Sequence, residues 1–312
     1  MRIIIPHKLC IYCPVLYYNL LLKTFGDQIV FCPVEQTPVA FRSRLLSHCP
    51  SWIRNKYNWG IKEHGTVPYA YILPKGKKNY SNARPIIASS GCSFGTLFQA
   101  LGKLLADILP LAYPGTFGHR TMAQILLDIK AFLQRDADIA ANFDFCNEDL
   151  KGFFTSVPHE VILQAALHLV HTYSSKFPPM HGKDIVFTVT VQSSSKERCI
   201  RGRSFSKSTR NHIIFLADIP DLVLLALRSS AFQCMTQMYQ QSRGAIIGGH
   251  ASPSICSMAV AYREIVWMHA YKIHEHSEML CIRYVDNRLT IISKTLRKTD
   301  AFARLCDLLF YQ

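Results

Sequence analysis

The stretch of sequence that decides the fold lies near the C-terminus and reads Cys281-Ile282-Arg283-Tyr284-Val285-Asp286-Asn287-Arg288-Leu289-Thr290-Ile291-Ile292. Two strand-like apolar runs flank an Asp-Asn pair, and this pattern is typical of a β-hairpin with a polar turn. Asp286 at the tip of such a hairpin can offer its carboxylate to Mg²⁺, because hard cations prefer oxygen ligands. An ordinary hairpin with a polar turn is the alternative interpretation.

A second aspartate follows another predicted strand in the middle of the chain. Asp149 ends an apolar segment and is followed by Phe153, Phe154 and a turn that closes at Pro158. Carboxylates on two neighbouring strands can hold two Mg²⁺ ions close together. The alternative is an acid that caps the following helix.

Two further segments favour a nucleotide and a nucleic acid as ligands. Glycines lie in the loop 244–249 before a helix that starts at Ser252-Pro253, and glycine lets a backbone approach a base pair closely. A basic turn suits an incoming triphosphate, since arginine clamps phosphate with two hydrogen bonds and lysine acts as a point charge. Its cations are Lys75, Lys77, Lys78 and Arg84. The alternative for the glycine loop is an ordinary turn before a core helix. The alternative for the basic turn is a solvated loop without a ligand.

In their order along the chain, the four segments resemble the motifs of reverse transcriptases, most closely those of Penelope-like and group II intron-type elements. Asp149-Leu-Lys-Gly-Phe-Phe-Thr-Ser-Val-Pro resembles the first catalytic motif. Tyr284-Val-Asp-Asn resembles the Tyr-x-Asp-Asp hairpin, with Asn287 in place of the second aspartate. The resemblance covers about residues 69–292. It implies an α+β right-hand polymerase with fingers and a palm, whose antiparallel sheet is backed by helices and whose thumb is missing or truncated.

The resemblance also implies the roles of individual residues. Asp149 and Asp286 would be catalytic and would bind two Mg²⁺ ions, with Mn²⁺ as an alternative, and Asn287 would add an amide oxygen. Residues that would contact the substrates are Lys75, Lys77, Arg84, Phe154, Gln241, Gly248 and Tyr284.

The expected activity is that of an RNA-directed DNA polymerase of a retroelement, which transfers dNTPs to a primer 3′-OH. Phe154 lies at the sugar-selecting position of the family, where a bulky ring leaves no room for a 2′-OH. Two alternatives stay open: an RNA-dependent RNA polymerase, and a catalytically inactive polymerase-like protein that binds nucleic acid. Asn287 and the chain end at Gln312, soon after the hairpin, favour the second alternative.

Composition agrees with a globular protein that binds a polyanion, either a nucleic acid or an anionic membrane surface. The chain has 312 residues, 49% of them hydrophobic, and its 35 Lys and Arg against 21 Asp and Glu give a net charge of +14. The expected partners are an RNA or DNA template with a primer, and dNTPs; no protein partner is indicated. Residues 9–22 are too short and too interrupted to predict a membrane span, and no signal peptide is clear.

The 11 cysteines are scattered, which favours a reducing intracellular compartment, with the nucleus as an option for a retroelement protein. Cys10 and Cys13 are spaced like half of a zinc site, but buried thiols are the favoured interpretation.

The domain prediction is an N-terminal extension over residues 1–66 and interleaved fingers and palm over residues 67–312. Apolar periodicity and breaker residues predict the helices Phe94–Leu109, Thr121–Gln134, Pro158–Tyr173, Ser252–Met268 and Leu296–Leu309. Predicted strands are Tyr71–Leu73, Arg84–Ile87, Asn142–Cys146 and two within residues 185–215, around the basic loop Lys196–Arg203.

Overall fold

The computed structural model of the chain describes residues 2–5, 8–76, 80–89, 91–118, 121–134, 139–150, 152–179, 183–191, 199–202, 211–271 and 278–308. In chain order, the strands are β1 Arg2–Ile5, β2 Lys8–Ile11, β3 Phe31–Val34, β4 Tyr69–Pro74, β5 Ala83–Ala88, β6 Phe143–Asp149, β7 Val186–Thr190, β8 Cys199–Arg201, β9 Asn211–Phe215, β10 Ala231–Cys234, β11 Gln237–Gln241, β12 Met279–Tyr284 and β13 Asn287–Ser293. The helices are α1 Pro14–Phe25, α2 Pro38–His48, α3 Ser51–Lys56, α4 Gly95–Ala112, α5 Met122–Leu133, α6 Ile139–Asn142, α7 His159–Lys176, α8 Ile219–Arg228, α9 Ser252–Tyr271, α10 Lys294–Arg297 and α11 Asp300–Leu308. The predicted mixture of helices and strands is confirmed.

The strands form sheets that are mostly antiparallel. The sheet with the order β12-β13-β6 is antiparallel throughout, and we call it the aspartate sheet because it brings together the segments of Asp149 and Asp286. A five-stranded sheet has the order β3-β11-β10-β4-β5, in which β10 and β4 run parallel. A three-stranded sheet has the order β8-β7-β9, and β1 pairs with β2.

The main core lies behind the aspartate sheet. Helix α9 packs against α4 and α7, and the buried side chains of these helices form one cluster with Met279, Cys281 and Ile292. On the other face of the sheet, Ile125 and Phe132 of α5 pack with Leu280, Ile282 and Ile291, whereas Asp149, Tyr284 and Asn287 at the turn are exposed. One face of the sheet is thus fully backed, and the other is open at the turn.

The first residues of the chain also belong to this arrangement. Strand β3, which lies in the predicted N-terminal extension, pairs with β11 at the edge of the five-stranded sheet. Helix α1 packs on β4 through its buried side chains, and Tyr17 Oη accepts a hydrogen bond from Ile72 N at 3.1 Å. This part of the extension therefore packs together with the region predicted as fingers and palm.

Three predicted elements need correction. Helix α4 continues through Pro110 to Ala112, because a proline in the last turn removes only one hydrogen bond and Tyr113 N still donates to Leu109 O at 2.8 Å. The two strands expected within residues 185–215 are three, since β8 lies inside the predicted loop and pairs with β7 as an edge strand. The last predicted helix is divided into α10 and α11 by a tight turn, in which Thr299 N donates to Leu296 O at 3.0 Å.

None of the helices in the described residues combines the length and the apolar character that crossing a membrane requires.

Candidate active site

Strand pairing brings the two predicted catalytic aspartates to the same end of the aspartate sheet. In the register of β13 and β6, Asn287 lies directly opposite Asp149. The backbone continues this pairing past the strand ends, because Leu150 N donates to Asp286 O at 2.8 Å. Residues from two distant parts of the sequence therefore lie on adjacent strands, as two ligands of a shared ion require.

Val285 and Asp286 form the turn between β12 and β13, and the turn is strained. Val285 has φ of +58°, in the left-handed region that β-branched residues rarely adopt. Arg283 Nη1 donates to Val285 O at 3.3 Å, and Arg283 Nε donates to Glu264 Oε1 of α9 at 2.7 Å. Both charged side chains are almost fully buried, so the turn rests on an ion pair that fixes it to the core helix.

The acids at the turn are available for a ligand. Asp149 is exposed, Asp286 is partly exposed, and neither makes an ion pair with any residue in the described part of the chain. Asn287 Nδ2 donates to Asp286 Oδ1 at 3.2 Å, so this amide orients the carboxylate beside it. Carboxylate oxygens without a neighbouring cation are the donors that Mg²⁺ prefers, and two of them suffice when water and phosphate complete its coordination. The described residues contain no cluster of three or more His, Cys, Asp or Glu side chains suited to a metal, so these two acids are the candidate set.

The turn that follows Asp149 carries the predicted sugar-selecting residue. It is closed by Thr155 N and Ser156 N, which both donate to Gly152 O at 2.7 Å. Phe153 is buried in the core, whereas Phe154 is only partly buried, and their rings meet edge to face at 4.9 Å. Phe154 is thus the one of the two rings that can meet a ligand.

The glycine loop contacts the protein's own backbone at both of its ends. A Cβ on Gly244, which has φ of +68°, would lie 2.1 Å from Phe154 O, and one on Gly248 would lie 2.2 Å from Ile87 O. These glycines are therefore required for close contact with the Phe154 turn and with β5. The predicted contact of Gly248 with a base pair stays a prediction.

Gln241 lies under this loop and does not face open space. Its side chain is 1% exposed, and its Nε2 donates to Phe154 O at 2.7 Å and to Arg243 O at 2.6 Å. Contact with the substrates, predicted for Gln241, would need this side chain to leave its buried position. In the structure it holds the backbone of Phe154.

The other predicted substrate-binding residues are exposed where they are described. Lys75 and Arg84 project from the β4–β5 hairpin, where Arg84 lies opposite Leu73 in the register, and both are exposed. Lys77 lies outside the described residues. Tyr284 is 63% exposed and lies opposite Asn287, next to the two acids. Their contacts with nucleotide and primer stay predictions.

Zinc binding at Cys10 and Cys13 stays untested, because the side chain of Cys10 lies outside the described part of the structure. Cys13 is exposed, so the favoured interpretation of a buried thiol is wrong for this residue. Other cysteines, among them Cys256 and Cys281, are buried. Burial raises the pKa of the Cys256 and Cys281 thiols to about 12, so both stay protonated at neutral pH.

Sequence reasoning missed the residues that support the site. Arg283 lies within an apolar strand and Glu264 within an apolar helix, and a charge in such a position signals a buried partner. His159 was also missed; its Nε2 donates to Gly244 O at 3.0 Å, which links the start of α7 to the glycine loop. Burial lowers the pKa of His159, which favours the neutral ring.

The fold is similar to that of solved telomerases. Apo telomerase from Candida tropicalis aligns with a TM-score of 0.61 at 11% identity, over 98% of this chain and 48% of that chain. Telomerase from Candida albicans, in complex with the TWJ fragment of telomeric RNA, aligns with a TM-score of 0.55 at 13% identity, over 94% of this chain and 44% of that chain. The chain therefore spans about half the length of these telomerase chains. No protein-family model and no curated protein matches the sequence.

These likenesses show a polymerase-like fold of the kind found in telomerase. The Penelope-like or group II intron branch stays a prediction, because a likeness at this low identity shows the fold alone.

Proposed function

We propose that the chain is the fingers and palm part of an RNA-directed DNA polymerase that extends a primer with dNTPs. The observation that carries the proposal is the pairing of β13 with β6, by which Asp149 and Asp286 lie at the same end of the aspartate sheet. The telomerase-like fold supports a polymerase, and Phe154 after Asp149 supports selection of deoxynucleotides. Membership in a retroelement rests on the sequence resemblance alone.

The residues of the chain have distinct tasks in this reaction. Asp149 and Asp286 would hold Mg²⁺, with the Asn287 amide beside them. When bound, the metal supplies activation of the primer 3′-OH and stabilisation of the leaving pyrophosphate. Lys75 and Arg84 would bind the triphosphate through charge-assisted hydrogen bonds, as would Lys77.

Two side chains would position the sugar and the primer. The ring of Phe154 would occupy the space that a 2′-OH needs, and Tyr284 would support the primer end next to the acids. The net charge of +14 favours binding of the template and primer backbones.

Primer extension on a poly(rA)–oligo(dT) template with Mg²⁺ tests the proposal. Asp149→Asn and Asp286→Asn should each reduce extension on the order of a thousandfold, because each removes a ligand worth several kcal/mol in the transition state. Both positions are at least partly exposed, so the free energy of unfolding should stay within about 0.5 kcal/mol of the wild type. Asp300→Asn, which changes an exposed acid at the start of α11, is the matched control and should extend normally.

Normal extension by either site variant would show that the acids are assigned wrongly. A wild type that binds the template and primer without extending them would instead favour the nucleic-acid-binding alternative. Asn287 is the observation behind that alternative, since an amide carries no charge for a metal. Faster use of rNTPs than of dNTPs would favour an RNA polymerase.

A further inference from the structure

We infer that Gln241 is a positioning residue that holds Phe154 in place and thereby sets the preference for deoxynucleotides over ribonucleotides. The inference rests on the proposed function, because it concerns the selectivity of the same site. It gives Gln241 an indirect role in place of contact with the substrates.

The amide of Gln241 can have only one orientation at this place. Its two neighbours are carbonyl oxygens, Phe154 O at 2.7 Å and Arg243 O at 2.6 Å, so the NH₂ group must face them. Both hydrogens of the amide are then used. One side chain at the end of β11 thus joins the glycine loop to the turn after Asp149.

Further contacts between the glycine loop and the turn after Asp149 surround the carbonyl of Phe154. Ala245 N donates to the same oxygen at 3.0 Å, and Gly244 N donates to Val157 O at 2.6 Å. Gly244 lies so close that a Cβ would be 2.1 Å from the oxygen. The backbone of Phe154 therefore cannot move toward the loop, and Gln241 and Ala245 prevent it from moving away.

The side chain of Gln241 is poorly explained by stability. Its Oε1 is buried and has no hydrogen-bond partner among the described residues. A buried polar atom without a partner costs about 1–3 kcal/mol, and an apolar side chain of similar volume avoids that cost. Gln241 instead fixes the position of Phe154, whose ring can exclude a 2′-OH only from that position.

A ring excludes a 2′-OH only if it stays where the hydroxyl would be. A displacement of about 1 Å in a site can change rates by about a hundredfold. Loss of the bond from Gln241 leaves Ala245 N as the described hydrogen-bond donor to Phe154 O. We therefore expect a partial loss of selectivity, smaller than the loss caused by removing the ring.

The test compares Gln241→Met with Gln240→Met, the same change one residue earlier, where the side chain donates to Arg228 O on a different element. The substrates are dUTP and UTP, which differ only at the 2′ position, on a poly(rA)–oligo(dT) template. The ratio of kcat/KM for dUTP to that for UTP should fall about tenfold in Gln241→Met and stay unchanged in Gln240→Met. Urea denaturation should show that both variants stay folded under the conditions of the assay.

A second comparison separates positioning from general damage. Phe154→Ala removes the ring, so adding Gln241→Met to it should change the ratio no further, as expected for residues that act through one another. An unchanged ratio in Gln241→Met, or equal effects with and without the ring of Phe154, would overturn the inference. A wild type that extends no primer would overturn the proposed function and this inference with it, whereas an active wild type with an unaffected Gln241→Met would overturn the inference alone.

Discussion

The two faces of the aspartate sheet differ in whether their acids are paired with cations. Asp149 and Glu148 are neighbours in β6, and successive side chains of a strand point to opposite faces. Glu148 meets buried Arg288 at 2.6 Å on the face that packs on the core. Asp149 is exposed on the open face and has no ion-pair partner among the described residues.

This difference shows which acids are structural and which can bind a ligand. A carboxylate already neutralised by an arginine gains little from a metal, whereas one without a cation gains much. The backed face holds the ion pairs of Arg283 with Glu264, of Arg288 with Glu148 and, at the other end of β6, of Arg297 with Asp144. The open face offers Asp149 beside Asn287, with Asp286 at the turn.

The largest change in stability should follow from breaking the deeper ion pair. Arg283→Met leaves Glu264 buried and without its cation, and such a change costs about 3–5 kcal/mol. Urea denaturation measures this loss. Extension should also weaken, because the Val285 turn loses the hydrogen bond beneath it.

The double variant Arg283→Met with Glu264→Met is the control for this prediction. Replacing a whole buried pair by apolar side chains is often neutral or stabilising, so most of the lost stability should return. If the single and double variants were equally unstable, packing rather than charge would explain the loss.

A smaller effect is expected at the second ion pair of the same face. Arg288→Met leaves Glu148, whose side chain is 19% exposed and can still be hydrated in part. We expect a loss of about 1–3 kcal/mol in urea denaturation, less than for Arg283→Met. A larger loss of stability in Arg288→Met than in Arg283→Met would show that the depth of burial does not determine the cost of breaking these ion pairs.

The smallest effect concerns the open face, where Asn287→Asp adds an acid opposite Asp149. Like charges directly opposite each other are destabilising, so without metal the variant should lose less than about 1 kcal/mol. Added Mg²⁺ should raise Tm more in the variant than in the wild type, because a ligand that binds the folded state stabilises it. Thermal unfolding with EDTA and with Mg²⁺ measures both effects.

Ionic strength provides the control for Asn287→Asp. Salt screens the repulsion between exposed carboxylates, so the destabilisation without metal should shrink when KCl is added. An Mg²⁺ response equal to that of the wild type would show that position 287 does not face the metal.

Much of the fold could be predicted because its signals are local. The helices around residues 94–109, 121–134, 158–173 and 252–268 have apolar periodicity with clear ends, and the structure confirms them to within a few residues. Helix α1 lacks a clear apolar periodicity in the sequence, because Val15, Leu16 and Leu22 are apolar although they lie on its exposed face. Residues 1–66 therefore carry no predicted helix or strand.

The arrangement of the site was predicted only in part, because its supports come from distant segments. The order of the motifs implied that Asp149 and Asp286 would meet, and strand pairing brings them together. Nothing near Gln241 in the sequence indicates that its amide ends beneath Phe154. Glycines at 244 and 248 were recognised, but their close contacts are with the protein's own carbonyls.

The pairing of β13 with β6 also determines when the site can first exist. The residues of β6 are synthesised long before residues 287–293. Until β13 has been made, the backbone of β6 lacks the hydrogen-bonding partner that β13 provides. Contacts between segments far apart in the sequence form slowly, because the loop between them must be ordered first. A ribosome-bound chain that stops short of β12 would therefore carry Asp149 without the segment of Asp286, so the candidate metal site can assemble only after residues 287–293 have been made.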